Sequence, residues 1–140
     1  MPMNGTFVIE DDAYNKLAEH IENTYPNEAC GILIGNIHDN RIYDIKEGTN
    51  RENDKKQSFF SMDPLDIYKV EKERKEIIGF YHSHPNKTAT LSTSDKEYMV
   101  PGVLNLIFAV TKNGVVDMRA YRREKPETTD VKEERVLVHI

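Results

Sequence analysis

The sequence predicts a mixed α/β fold, a mixed β-sheet with helices packed on its faces. Three observations carry that expectation. Apolar runs of strand length alternate along the chain with segments of helical period. The turn Lys112-Asn113-Gly114 joins two apolar runs as a hairpin, which requires an antiparallel pair. The length, 140 residues, is that of one domain able to bury a core, so residues 1–140 are read as a single domain.

The elements follow in order. Residues 6–9 read as a short strand. Asp11 or Asp12 offers a cap for a helix to about residue 24, with Ala13, Leu17, Ala18 and Ile21 at helical spacing and Tyr25-Pro26-Asn27 as its stop. Residues 29–35 form an apolar run short enough for a buried strand. His38-Asp39-Asn40 is a turn, and residues 41–46 alternate as a half-buried strand. Residues 48–57 are polar and without period, hence a loop, and 58–62 read as a strand. Asp63-Pro64 supplies a cap and a first-turn proline for a helix through residue 76. Residues 77–84 read as a strand stopped by Pro85, 86–91 as a loop and 92–99 as a short helix. The hairpin pairs 103–111 with 115–122. Residues 124–130 read as a loop, and 131–140 as either an edge strand or a loosely docked tail.

Composition narrows the class. Hydrophobic residues are 38%, below the usual share of about 45–50%. Charged residues are 31%, against about 25% in an average domain. Nineteen basic and 24 acidic residues leave a net charge of −5, which argues against a nucleic-acid binder, whose face is basic. No run approaches the length of a membrane span, and the N-terminus lacks a basic start followed by an apolar block. One cysteine, Cys30, makes an internal disulfide impossible and suits a reducing compartment. A cytoplasmic protein without nucleic-acid or membrane partners is the expectation.

The chemistry concentrates in His82-Ser83-His84-Pro85-Asn86-Lys87-Thr88-Ala89-Thr90-Leu91-Ser92-Thr93-Ser94-Asp95. His82 and His84 stand two apart on a predicted strand, so both imidazoles face one side. Two imidazoles on one face are half of a zinc site, and Asp95 is the natural third ligand if a turn at Pro85 returns the chain. Imidazole ligation favours zinc over magnesium or calcium. Each piece also has a plainer meaning. Ser92-x-x-Asp95 and Ser94-x-x-Glu97 are capping boxes, and an isolated strand histidine is commonly a satisfied polar residue. Joined by a tight turn, the two signals reinforce each other.

With those residues in place, the sequence resembles the JAMM/MPN+ family of zinc metalloproteases. Their motif is an upstream Glu followed by H-x-H-x7-S-x2-D, and His82, His84, Ser92 and Asp95 match its spacing without a gap. Glu28, in Asn27-Glu28-Ala29-Cys30-Gly31-Ile32-Leu33-Ile34-Gly35, matches the upstream Glu. The resemblance implies a JAB/MPN (cytidine-deaminase-like) architecture and one Zn2+ per chain on His82, His84 and Asp95. It also implies Glu28 as general acid–base and Ser92 as the donor to the developing oxyanion. Spacing alone does not select Glu28 over Glu10, Glu19 or Glu22, and Ser92 can also be a helix cap, one serine serving both functions.

A compact chain of this family looks like a prokaryotic stand-alone member. Such members resemble enzymes that hydrolyse the amide after the C-terminal Gly-Gly of a ubiquitin-like or sulfur-carrier protein. The bond is either a lysine isopeptide or a C-terminal extension or attached amino acid; the two differ in the leaving amine. The alternatives are a non-catalytic MPN scaffold, from which metal ligands are usually lost, and an amidase of small peptides. A deaminase would need a downstream Cys-x-x-Cys pair, which one cysteine excludes.

Other residues carry plainer expectations. Cys30, among apolar neighbours, reads as a buried strand residue rather than a nucleophile. His20, His38 and His139 read as surface residues, and residues 71–76 as a solvated helix face of mixed charge. The resemblance places the 48–57 loop beside the groove for the substrate tail, where Asn50, Arg51 and Lys55 can contact it; an ordinary solvated loop is the equal alternative.

Overall fold

The computed structural model describes residues 5–52, 55–56 and 61–139, Tyr98 by its backbone alone. β1 (Thr6–Glu10) runs straight into α1 (Asp11–Thr24). The helix starts on Glu10 without a side-chain cap, so Asp11 and Asp12 sit in its first turn rather than capping it. There they still complement the positive end of the helix dipole. Ala13, Leu17 and Ile21 form its buried stripe.

β2 (Cys30–Asn36) and β3 (Arg41–Glu47) form a hairpin, and α2 (Pro64–Lys72) follows. Asp63 caps α2 by accepting from the Leu65 amide, and Pro64 occupies the first turn as predicted. The helix ends four residues before the predicted stop. Arg74 takes the left-handed conformation, φ 60°, and the Lys75 amide donates back to the Val70 carbonyl, a helix-closing bond of the Schellman type. Residues 73–76 are therefore outside the helix.

β4 (Ile77–Pro85), α3 (Thr93–Tyr98) and β5 (Leu104–Thr111) make a crossover unit, with β4 and β5 parallel. β6 (Gly114–Arg123) returns antiparallel through the predicted hairpin, and β7 (Val131–His139) ends the chain. Most of the predicted 58–62 strand lies outside the described residues; Met62 makes an isolated antiparallel bridge to Asn50.

The sheet runs β1-β3-β2-β4-β5-β6-β7 and closes into a barrel. β7 is neither a free edge nor a loose tail. Its first half pairs antiparallel with β6 and its second half parallel with β1. The buried Glu134 of β7 accepts from Arg122 of β6 at 3.3 Å. Breaking a buried ion pair of this kind typically costs about 3–5 kcal/mol.

Helices lie on both faces of the sheet. On one, α1 packs Leu17 and Ile21 against Phe7, Leu33, Ile42, Tyr81 and Phe108. Each fully buried aliphatic or aromatic side chain there contributes about 1.5–3 kcal/mol. On the other, Val70 and Ile67 of α2 cover Ile32, Ile34 and Phe80, while Met99, after α3, joins Ile107, Ala109 and Tyr121. Between these two clusters the face is open, and the histidines stand there. No helix among the described residues is long and apolar enough to cross a membrane.

Candidate metal centre

The period of the strand sets the histidines. Tyr81 points into the α1 core, whereas Phe80 packs with the α2 cluster, and His82 and His84 continue on that second side. Their Nε2 atoms stand 3.3 Å apart. Asn86, with φ 58°, turns the chain after Pro85, and the crossover brings α3 back beside the end of β4. Ser92 caps α3: its Oγ accepts from the Asp95 amide at 3.0 Å, and the Asp95 carboxylate accepts from the Ser92 amide at 2.9 Å. The capping box is thus real, and it aims the Asp95 carboxylate. Its oxygens stand 3.0 Å from His82 Nε2 and 3.1 Å from His84 Nε2.

These distances test the fit of a metal. Four ligands at about 2.0–2.1 Å in a tetrahedron stand about 3.3 Å apart. The three separations here, 3.0, 3.1 and 3.3 Å, are close to that. The His84 Nδ1 lies 2.9 Å from the Thr88 carbonyl. A carbonyl accepts, so Nδ1 carries a proton and Nε2 is turned to the centre, where it donates to Asp95 when protonated and would offer its lone pair to a metal when not, the usual outer support of a ligating imidazole. A second carboxylate stands beside them: Glu28, His82 and His84 are buried, with ligand atoms within 4.8 Å of one another.

Electrostatics follow from this crowding. Burial raises Asp95, but hydrogen bonds from His82, His84 and the Ser92 amide outweigh it and hold the carboxyl well below the ordinary range. Burial lowers His82 despite Asp95, favouring the neutral ring that ligates. Burial also opposes charge on His84, but its bonds to Asp95 and the Thr88 carbonyl prevail and raise it. Glu28 is pushed up to about 7, by burial first, with Asp95 adding and His84 and Lys87 opposing.

Glu28 belongs to no regular element, and long-range pairing delivers it. β2 pairs antiparallel with β4 so that Cys30 faces His82. Ser83, fully buried between the two histidines, accepts from the Ala29 amide at 2.8 Å and donates its own amide to the Ala29 carbonyl at 3.0 Å. Strand alternation turns Ser83 away from the histidines, and nothing in the sequence marked it as the link to Glu28.

Glu28, His82, His84, Ser92 and Asp95 all line one groove of about 740 Å³, whose apolar lining comes from Met62, Ile67 and Phe80 of the α2 cluster and from Met99 of the other. Cys30 also lines it and is buried, with its thiol pushed up to about 12 by burial and the acids nearby. It is an inert strand residue, as expected. His38 and His139 are exposed. His20 is not: it packs edge-on against Tyr81 and its Nδ1 lies 2.6 Å from the tyrosine hydroxyl. A helix of 14 residues carrying one buried face left that polar partner invisible in the sequence.

A mixed sheet, seven-stranded among the described residues, that bears His-x-His on one strand and a carboxylate on the crossover helix defines a JAB-type α/β protein. The chain belongs to the prokaryotic homologues of the JAB domain, whose family pattern matches residues 10–124. It is similar to the 26S proteasome regulatory subunit RPN11 of Encephalitozoon cuniculi (strain GB-M1), 29% identical over 97 residues, covering 64% of this chain and 33% of that protein. The chain therefore spans about a third of the length of that curated relative. Two solution structures share the fold. One, of a protein from Desulfitobacterium hafniense, has a TM-score of 0.78 at 23% identity, covering 95% of this chain and 92% of the other. The second, from Salinibacter ruber (strain DSM 13855), has a TM-score of 0.67 at 24% identity with the same coverage.

Proposed function

We propose that this protein is a zinc-dependent metalloprotease or isopeptidase that cuts the amide after the C-terminal Gly-Gly of a ubiquitin-like or sulfur-carrier protein. The observation that carries the proposal is the convergence of His82, His84 and Asp95 within 3.0–3.3 Å beside the buried Glu28. In this assignment His82, His84 and Asp95 are the ligands, and residues 1–140 act as one domain in the cytoplasm. A zinc ion there supplies Lewis acidity and a water that ionises near neutral pH.

The chain's own groups do the rest. Glu28, nearly buried and with its carboxyl up to about 7, suits a group that takes a proton from water and returns it to the leaving amine. Ser92 Oγ accepts from the Asp95 amide, so its own O–H is left to donate to the substrate carbonyl oxygen as charge develops. Ser92→Ala is expected to lower kcat by about 10²–10³-fold with little change in KM. Steady-state rates at full zinc occupancy check it; an unchanged kcat reduces Ser92 to a cap.

The groove favours an extended, narrow chain. Its walls are apolar near Phe80 and polar near the acids, and a Gly-Gly tail can bring its backbone close to the centre where a side chain would collide. The test is mass-spectrometric. A sulfur-carrier-like protein extended beyond its Gly-Gly is incubated with the chain, with zinc or with a chelator. Cleavage just after Gly-Gly, with zinc alone, is the expected result. A chain full of zinc that cuts neither this substrate nor an isopeptide-linked one points to a small-peptide amidase. A chain that takes up no zinc points to a scaffold.

A further inference from the structure

The segment expected to face substrate turns one of its side chains inward. Among the described residues, the Asn50 carboxamide meets three backbone groups. Its Oδ1 accepts from the Glu52 amide at 3.0 Å and the Ser61 amide at 3.1 Å, and its Nδ2 donates to the Glu28 carbonyl at 3.1 Å. Two donors on one side and an acceptor on the other admit one orientation of the amide. Around it, residues 49–51 and 61–63 are zipped together: the Arg51 amide donates to the Ser61 carbonyl at 2.7 Å and the Asp63 amide to the Thr49 carbonyl at 3.0 Å. The Thr49 amide in turn donates to the buried Asp66 of α2 at 2.8 Å. The Glu28 amide donates to the Lys56 carbonyl at 2.6 Å. The backbone of Glu28 is thereby held on both sides by this segment, while Ser83 holds Ala29 from β4. Glu52, Ser61 and Met62 of the same segment form a wall of the groove.

We infer that Asn50 is a positioning residue for Glu28: its carboxamide ties the Glu28 backbone to the groove wall, so that the wall and the proton-transferring acid are set as one unit. The inference rests on the assignment of Glu28 above. The physical reason is leverage. A residue outside helix and strand has no ladder to fix it, and a misplacement of about 1 Å at a reacting group costs about 10²-fold in rate. Hydrogen bonds to a buried carbonyl limit that displacement.

Two variants separate the links. Asn50→Asp keeps both acceptor contacts to Glu52 and Ser61 and loses the donor to Glu28. Asn50→Ala loses all three and adds no charge. Amide hydrogen exchange is read by NMR on the zinc-loaded chain, with Leu106 of the core as the reference for global opening. In both variants the Glu28 amide is expected to exchange at least tenfold faster relative to Leu106, although its own acceptor, Lys56, is untouched. In Asn50→Asp the Glu52 and Ser61 amides stay within threefold of wild type. Both variants keep one zinc per chain, and kcat falls about tenfold with KM within threefold. In a Glu28→Asp background, Asn50→Ala adds less than twofold, because two groups acting through one step are not additive.

An unchanged Glu28 amide in both variants overturns the inference, as does a kcat loss that is fully additive with Glu28→Asp. Exchange needs no substrate, so it reads the tether even if wild type cleaves no carrier, which would count against the proposed function alone.

Discussion

Asp95→Ala, and separately His82→Ala, are expected to abolish stoichiometric zinc binding and hydrolysis together. Each side chain supplies one of three donor atoms held within 3.0–3.3 Å. Disturbing an outer partner of a metal ligand costs about 10–100-fold in affinity, so removing a ligand exceeds that. Zinc per chain, counted by elemental analysis after dialysis against a weak chelator, checks it. Retained zinc at one per chain in either variant removes that residue from the ligand set. Asp95 has a second duty, since its carboxylate also closes the cap of α3 on the Ser92 amide. Losing a cap costs about 0.5–2 kcal/mol. Asp95→Asn separates the duties: it keeps an oxygen for the Ser92 amide and lacks the charge. It is expected to melt above metal-free Asp95→Ala, which loses the cap as well, while binding zinc far more weakly than wild type.

The centre was legible where it is local. His82, His84, Ser92 and Asp95 fall within fourteen consecutive residues, and strand period, a turn and a helix start bring such residues together without reference to the rest of the chain. Glu28 was not legible from spacing. It reaches the histidines through the pairing of Cys30 with His82 and through Ser83, both long-range, and only the resemblance singled it out. The sequence leaves Asn50 either beside a groove for a substrate tail or in an ordinary solvated loop, and the structure turns its carboxamide onto the backbone of Glu28, Glu52 and Ser61. A polar segment without period gives no sign of which side chains turn inward, and a carboxamide that satisfies three backbone groups looks in sequence like any solvated asparagine. β7 was undecided for a related reason. Its partners change halfway along its length, and its buried position is a charge, Glu134, so neither a clean alternation nor a continuous apolar run identifies it.

Glu28→Ala is expected to keep zinc and lose about 10²–10⁴-fold in hydrolysis, the range for a positioned acid–base group. Asp95 lies 3.0 and 3.1 Å from the two ring nitrogens, and the Glu28 carboxylate stands beside them, within 4.8 Å of both rings. The proposed roles give Asp95 to the metal and Glu28 to the water. Zinc count and single-turnover rate, measured on one preparation, decide it. Lost zinc would transfer Glu28 to the ligand set, and a wild-type rate would end its role as acid–base. Burial of Glu28 has its own signature. Its folded carboxyl, at about 7, lies above its unfolded value of about 4.5, so the stability it contributes is full below the unfolded value and lost as pH rises through about 7. The difference corresponds to roughly 3 kcal/mol. Metal-free Glu28→Gln, which cannot ionise, is therefore expected to melt several degrees above metal-free wild type at pH 8 and level with it at pH 4. Equal melting at both pH values would mean that Glu28 is solvated rather than buried, and a solvated carboxylate of ordinary acidity has no reason to hold a proton at neutral pH for the leaving amine.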